Sequence, residues 1–256
     1  DCRATVDPPY LGLAACAKNG MKFLSWNVHG FVGGDGVYDP DRIADALGAL
    51  APAVAALQEI DLRQTNIDLV AQLNAVVGPH CVSAPAMGSG GQWYGQVLLS
   101  RYPVVRHKIH DLSFNDAEPR RLIDAVLDIG GSMLRVLATH LGLKRRERAY
   151  QFEIIRSIAM ADPSMPVVLL GDMNEWLPAP RLARRLLGAS AQGTSPVMRT
   201  FPAKLPIFPL DRMIARPGAL LESAHAVTRE RQLSDHLPLM AQLNMDALHA
   251  MSQDAV

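Results

Sequence analysis

Six apolar segments of this chain border residues able to hold a metal or a phosphate, and that pattern constrains the fold more than any other feature. The borders are Trp26-Asn27-Val28-His29, Gln58-Glu59, Thr139-His140, Gly171-Asp172-Met173-Asn174, Leu210-Asp211 and Ser234-Asp235-His236. Short apolar runs read as buried strands. Strand ends along one sheet edge converge on one cleft, held in place by the scaffold. Carboxylates, amides and imidazoles without thiolates suit a hard cation such as Mg²⁺ or Mn²⁺ better than zinc. The same set offers charge neutralisation, orientation of a water and donors to phosphate oxygens, which phosphoryl transfer to water requires.

The segments between these borders alternate in type. Met21–Asn27 alternates apolar and polar residues as a strand does. Asp39-Pro40 supplies a cap and a first helical proline, and Ile43, Leu47 and Leu50 follow at helical spacing until Pro52. Val54–Leu57 reads as a short buried strand. A helix from Thr65 to Val76 places Ile67, Val70, Leu73 and Val77 on one face. Gln96–Ser100 reads as a strand, and Leu122–Ile129 with Met133–Thr139 as a hairpin around Gly130-Gly131. A helix from Glu147 to Met160 turns Phe152, Ile155 and Ala159 inward. Val167–Leu170 is a continuous apolar strand, 181–187 a short basic helix, and Asp211–Ala215, Glu222–Val227 and Leu237–Leu243 are further strands. Alternating strands and helices with a hairpin imply an α/β chain whose sheets are mixed and not purely parallel.

The 256 residues, 49% hydrophobic, are enough for a buried core and exclude global disorder. No apolar run approaches the ~20 residues of a membrane helix. With 25 basic and 25 acidic side chains, net charge gives no general pull toward nucleic acid. Cys2, Cys16 and Cys81 lack zinc-ribbon spacing. Cys2 could pair with Cys16 in an oxidising compartment, or all three could be free thiols. The first twenty residues make a poor signal peptide. The expectation is a cytoplasmic protein with residues 1–20 as an appendage, one catalytic domain over 21–245 and a tail over 246–256.

Taken in order, WNVHG at 26–30, QE at 58–59, LLSRYPV at 98–104, THL at 139–141, GDMNEW at 171–176, LDRM at 210–213 and SDHLPL at 234–239 resemble the endonuclease/exonuclease/phosphatase superfamily. HLGL at 140–143 and TFPAKLP at 200–206 are similar to uncharacterised bacterial members of it. The resemblance implies a four-layer α/β sandwich, with two mixed, largely antiparallel sheets face to face and helices outside. It also implies hydrolysis of a phosphate ester with Mg or Mn as cofactor. Carried over by position, Glu59 resembles the principal metal carboxylate, supported by Asn27 and Asp235. Asp172 resembles the residue that orients the attacking water, and Asn174 a donor to the scissile phosphate. His236 resembles the family's imidazole on a phosphate oxygen, with Asp211 its carboxylate partner, and His140 a second such contact. Arg120 and His29 are read on the substrate phosphate. The chain departs from the abasic-site endonucleases at His29, where they carry Asp, and has Gln96 where Asn is expected.

Each of these residues alone has a plainer reading. Asp172 or Asn174 could cap a helix, His140 and His236 could be structural, and Asp211-Arg212 could be an ordinary ion pair. Together and in family order they favour catalysis. His80, His107, His110, His225 and His249 match nothing. Lys144-Arg145-Arg146-Glu147-Arg148 puts cations at a helix start, against the dipole, which hints at an anionic ligand. Arg181, Arg184 and Arg185 could extend that rim toward a nucleic-acid backbone or a lipid headgroup. Trp93 and Tyr94 could stack on a base, dip into a lipid interface, or simply pack. The expectation is a phosphodiesterase acting on nucleic acid or on a phospholipid or inositol-phosphate headgroup. The alternatives are a DNA nuclease and a non-catalytic binding protein on the same fold.

Overall fold

Period-two alternation in the strands decides the layering. In strand β1 (Met21–Asn27), Met21 and Phe23 face one core while Leu24 and Trp26 face another. In β2 (Val54–Asp61), Val54 and Ala56 join the first core, and Ala55 and Leu57 the second. The computed structural model describes residues 21–63, 68–176, 179–188 and 197–253. The proposed appendage, with Cys2 and Cys16, and the helix start at Thr65–Ile67 lie outside the described residues.

The first sheet has six strands in the order β10-β11-β1-β2-β4-β3. Besides β1 and β2 it contains β3 (His80–Ser89), β4 (Gln92–Ser100), β10 (Leu221–Ala226) and β11 (Leu239–Leu243). The second has five, β5-β6-β7-β8-β9. These are β5 (Val104–Asp111), β6 (Arg121–Ile129), β7 (Ser132–His140), β8 (Val167–Asp172) and β9 (Asp211–Arg216). Among the described residues β1–β2 and β7–β8 run parallel and every other strand pairing is antiparallel. The sheets are therefore mixed and largely antiparallel, as expected.

The inner faces of the two sheets share one core, in which Phe23, Leu98, Ile123, Val136, Leu170 and Met213 are buried. Helices α1 (Pro40–Leu50) and α2 (Leu69–Val77) cover the outer face of the first sheet through Ile43, Leu47, Leu69 and Leu73. Helices α3 (Arg145–Met160) and α4 (Ala179–Leu187) cover the second through Phe152, Ile155, Leu182 and Leu186. The result is a four-layer sandwich. Each fully buried Leu or Phe in it adds about 1.5–3 kcal/mol.

Local signals set the helix starts. Asp39 accepts the Arg42 backbone N–H at 3.3 Å, with Pro40 at the first helical position. Asp68 accepts the Ala71 N–H at 3.0 Å. Residues 245–253, taken mostly as tail, form helix α5 (Met245–Gln253), whose Leu248 is buried in the inter-sheet core. Two strands were not read from sequence. Both β3 and β5 are sheet edges, where proline, bulges and charge replace the apolar signal. No helix among the described residues is long and apolar enough to cross a membrane.

Candidate active site

The two parallel pairs bring the polar borders together. At the C-terminal ends of β1 and β2, Asn27 lies opposite Gln58. At the same end of the other sheet His140 lies opposite Asp172, and antiparallel β9 begins there with Asp211 opposite Asp172. Asp235 and His236 arrive just before β11, the antiparallel neighbour of β1.

Glu59 is the extra residue of a bulge, between Gln58 paired with Gln96 and Ile60 paired with Gly95. Its φ is +57°, that of His29 +48° and that of Asn174 +47°. Left-handed backbone at non-glycine residues costs roughly 1–3 kcal/mol each and collects at functional sites. Gly171, at φ +144°, is required for a different reason: a Cβ there would lie 1.8 Å from the Thr139 carbonyl oxygen of the paired strand. Gly142 likewise leaves the room that the buried Glu147 carboxylate fills.

Asp172 sits at the centre. Its Oδ1 accepts the Asn174 N–H at 2.9 Å, and its Oδ2 accepts the Asn27 amide at 3.2 Å. The same amide nitrogen donates to Glu59 Oε1 at 2.8 Å. Asp172 Oδ2 faces His140 Nε2 at 3.6 Å and His236 Nε2 at 3.7 Å. Burial pushes its carboxyl up to about 6, and the nearby Asp211 adds to that.

His236 Nδ1 lies 2.8 Å from Asp211 Oδ2, which also accepts the Thr200 hydroxyl. Burial opposes charging of this imidazole, yet the charge and hydrogen bond of Asp211, followed by Asp172, raise its pKa to about 10. Phe201 packs on its ring at 4.8 Å, and the Trp26 indole donates to its backbone carbonyl. His140 is the opposite case. Arg120 Nη1 donates to its Nδ1 at 3.2 Å, leaving the proton on Nε2. Burial, then Arg120 and His236, hold its pKa well below the usual imidazole value. One neutral and one charged imidazole thus flank Asp172.

On the open side, His29 Nδ1 is 3.7 Å from Glu59 Oε2 and 3.5 Å from Asp235 Oδ1. Ser234 donates to the Asn27 carbonyl at 2.7 Å and so fixes the Asp235 loop against β1. No Lys or Arg pairs with Glu59 or Asp235 among the described residues. Two partly exposed carboxylates with amide and imidazole neighbours and no Lys or Arg partner fit a hard divalent ion. Asp172, Asp211 and His236 also offer ligand atoms within 4.8 Å of one another. There, however, His236 Nδ1 is already spent on Asp211 and all three groups are buried, so the Glu59–Asp235 side fits an ion better.

All ten residues singled out from sequence lie in this one region, with Arg120 behind His140 and Asn174 donating its side-chain amide to the Leu141 carbonyl at 2.9 Å. The residues given no role from sequence are Thr200, Ser234 and Phe201. The TFP motif carried two of them but suggested no role. Gln96 also gains an account: its amide bridges the sheets, donating to the carbonyls of Arg121 and Ala138. Trp93 takes the packing alternative and is buried in the core on the outer face of the first sheet. The Arg63 guanidinium lies over the Tyr94 ring, 5.2 Å from its centre.

Comparison with known proteins places the fold and the family. The uncharacterized protein YbhP of Escherichia coli (strain K12) is 30% identical over 164 residues, which are 59% of this chain and 63% of YbhP; the match thus spans less than two thirds of that relative. The mannosyl-6-phosphatase of Bacteroides thetaiotaomicron aligns with a TM-score of 0.69 at 14% identity, covering 88% of this chain and 99% of its own. Sphingomyelinase C from Streptomyces griseocarneus aligns at 0.65 and 21% identity with the same coverage. At these identities the two structures speak for the fold alone. The model of the Endonuclease/Exonuclease/phosphatase family matches residues 24–236, nearly all of the sandwich, and the chain belongs to that family.

Proposed function

We propose that this protein is a divalent-metal-dependent phosphodiesterase. Family membership supports hydrolysis of a phosphate ester; the finer reading rests on one observation. Asp172 is buried, holds its carboxylate by two amide donors, and faces a neutral imidazole on one side and a charged one on the other.

In this reading Asp172 accepts a hydrogen bond from the attacking water and takes its proton, for which a carboxyl raised to about 6 is well matched near neutrality. The His236 imidazolium, held by Asp211, donates through Nε2 to a phosphate oxygen as charge develops. His140, its Nδ1 occupied by Arg120, presents Nε2–H to the same group. Asn174 supplies a further amide donor, and the exposed half of His29 contacts the substrate side. Attack is in line with the leaving oxygen. Glu59 and Asp235, supported by Asn27, would hold Mg²⁺ or Mn²⁺, which when bound neutralises phosphate charge and polarises the ester.

The test is hydrolysis of bis-p-nitrophenyl phosphate and p-nitrophenyl phosphate with Mg²⁺, Mn²⁺ or EDTA, for the wild type and His236→Ala. Metal-dependent turnover of the diester, lost in the variant, supports the reading. Preference for the monoester makes the protein a phosphatase. Salt-sensitive nicking of DNA in place of small-ester turnover makes it a nuclease. Silence on every ester leaves the binding-protein alternative.

A further inference from the structure

The three most exposed large apolar side chains among the described residues lie on loops at the catalytic ends of the strands. Leu143 is 73% exposed on the loop after β7, Trp176 66% on the loop after β8, and Leu205 71% on the loop before β9, with Ile207 beside it. Isolated exposed apolar residues need no explanation, but a contiguous set does.

Side-chain contacts make these loops one surface. Arg148 donates to the Leu143 carbonyl at 2.6 Å and to Glu175 Oε2 at 3.3 Å, joining the first loop to the second. The Trp176 ring stacks on Phe208 at 5.1 Å, joining the second to the third. That third loop is anchored in the active site at its base. Phe201 packs on His236, Thr200 bonds Asp211, and the Ala203 N–H donates to the Asp235 carbonyl at 2.7 Å. Leu205 and Ile207 therefore project from a loop whose stem touches three site residues.

Charge indicates what meets this surface. Leu143 is followed by Lys144, Arg145 and Arg146, all exposed, and Lys204 is exposed next to Leu205. Among the described ion pairs none engages these four cations. Apolar tips with adjacent free cations match the two layers of an anionic lipid interface, acyl chains below and phosphates above. Nucleic acid would want the opposite division, aromatic faces free for stacking. Here the exposed Trp is already stacked on Phe208, and the most exposed side chains are aliphatic.

We infer that the apolar arc around the catalytic mouth docks on an anionic lipid surface, so that the site takes its phosphate ester from that surface. The inference rests on the hydrolase reading for its second half only. Docking itself is independent of turnover.

The test is co-sedimentation of the full chain, in EDTA, with vesicles of phosphatidylcholine alone or mixed with phosphatidylglycerol. The wild type should pellet with the mixed vesicles. Leu205→Glu combined with Ile207→Glu should lower the bound fraction at least about tenfold. Lys144→Gln with Arg145→Gln and Arg146→Gln should remove the dependence on phosphatidylglycerol. All five positions are exposed, and unchanged thermal melting would show that the variants fold. No pelleting of the wild type with either vesicle overturns the inference, as does equal pelleting of the Glu variant. So does binding of a single-stranded oligonucleotide that the Glu variant loses while vesicles remain unbound. Vesicle binding together with silence on every ester would overturn the hydrolase reading and leave the docking surface standing.

Discussion

His236 Nδ1 and Asp211 Oδ2 are 2.8 Å apart in a site almost closed to water, and the carboxylate oxygen also accepts the Thr200 hydroxyl. The pairing joins the start of β9 to the loop before β11, so the two sheets are tied together at the site itself. It also holds His236 charged: burial opposes the imidazolium, but Asp211 raises its pKa to about 10. A pKa raised above the unfolded value of about 6.5 contributes stability that is complete below 6.5 and lost as pH rises through about 10. Asp211→Asn should therefore cost roughly 3–5 kcal/mol at pH 6, the cost of breaking a buried pair by removing one partner. The gap to the wild type should narrow between pH 6.5 and 10. Urea unfolding across that range checks it, and a gap that does not change with pH would show that His236 is neutral.

Asp172 has the opposite linkage. Its carboxyl is raised to about 6, first by burial and then by Asp211, so the fold binds a proton that the unfolded chain has released. Wild-type folding loses stability from this group as pH rises from about 4 to about 6, and the loss persists above. Asp172→Asn carries no such charge. Relative to the wild type its stability should rise over that interval and then level, while turnover falls roughly 10²–10⁴-fold. A variant with near-normal turnover would remove Asp172 from the role of base.

Glu59 and Asp235 share His29, and neither pairs with a Lys or Arg among the described residues. Added Mg²⁺ or Mn²⁺ should therefore raise the melting temperature of the wild type, with about 2.7 kcal/mol of stabilisation at a hundred times the dissociation constant. Glu59→Gln should abolish that response and, in EDTA, melt no lower than the wild type, because a like charge near Asp172 and Asp235 has gone. Retention of the metal response in Glu59→Gln would move the ion to the buried Asp172–Asp211–His236 group.

The sequence announces the interior of this fold more clearly than its edges. The core strands β1 and β8 are continuous or alternating apolar runs, and Asp39-Pro40 marks the start of α1 in two residues. Strand β3 buries only Val82 and Ala84 before Pro85 meets a bulge, and β5 is mostly exposed, so neither carries a sustained apolar pattern. Helix α5 carries a weak sequence signal although Asn244 accepts the Ala247 N–H at its start, because Leu248 is the one fully buried side chain described in it. At the site the same division holds. Residues with unusual chemistry at strand ends, such as Glu59 and His236, stand out in a linear reading. Thr200 and Ser234 are ordinary loop residues until the fold places their hydroxyls on Asp211 and on the Asn27 carbonyl. The division of labour between the two imidazoles is likewise invisible in sequence, since it depends on which partner meets each ring.

That division supplies the last prediction. Arg120 donates to His140 Nδ1, and Glu118 accepts from the same guanidinium nitrogen at 2.9 Å. A cation bound there does two things at once: it leaves Nε2 as the protonated nitrogen, aimed at Asp172 and Glu59, and it keeps the ring neutral. Burial is the larger cause of the depressed His140 pKa, with Arg120 second and His236 third. Arg120→Met should therefore raise that pKa without restoring it fully and release the tautomer. Turnover should fall about 10–100-fold, as when an outer-shell partner that orients a reacting imidazole is lost. A pKa depressed below the unfolded value makes acid unfavourable to the fold, because the unfolded chain takes up the proton first. The variant should accordingly lose less stability than the wild type as pH falls below 6.5. Nitrogen-15 shifts of the His140 ring read tautomer and protonation directly. An Nε2–H tautomer that persists in Arg120→Met would show that the Asp172 and Glu59 carboxylates orient the ring without it.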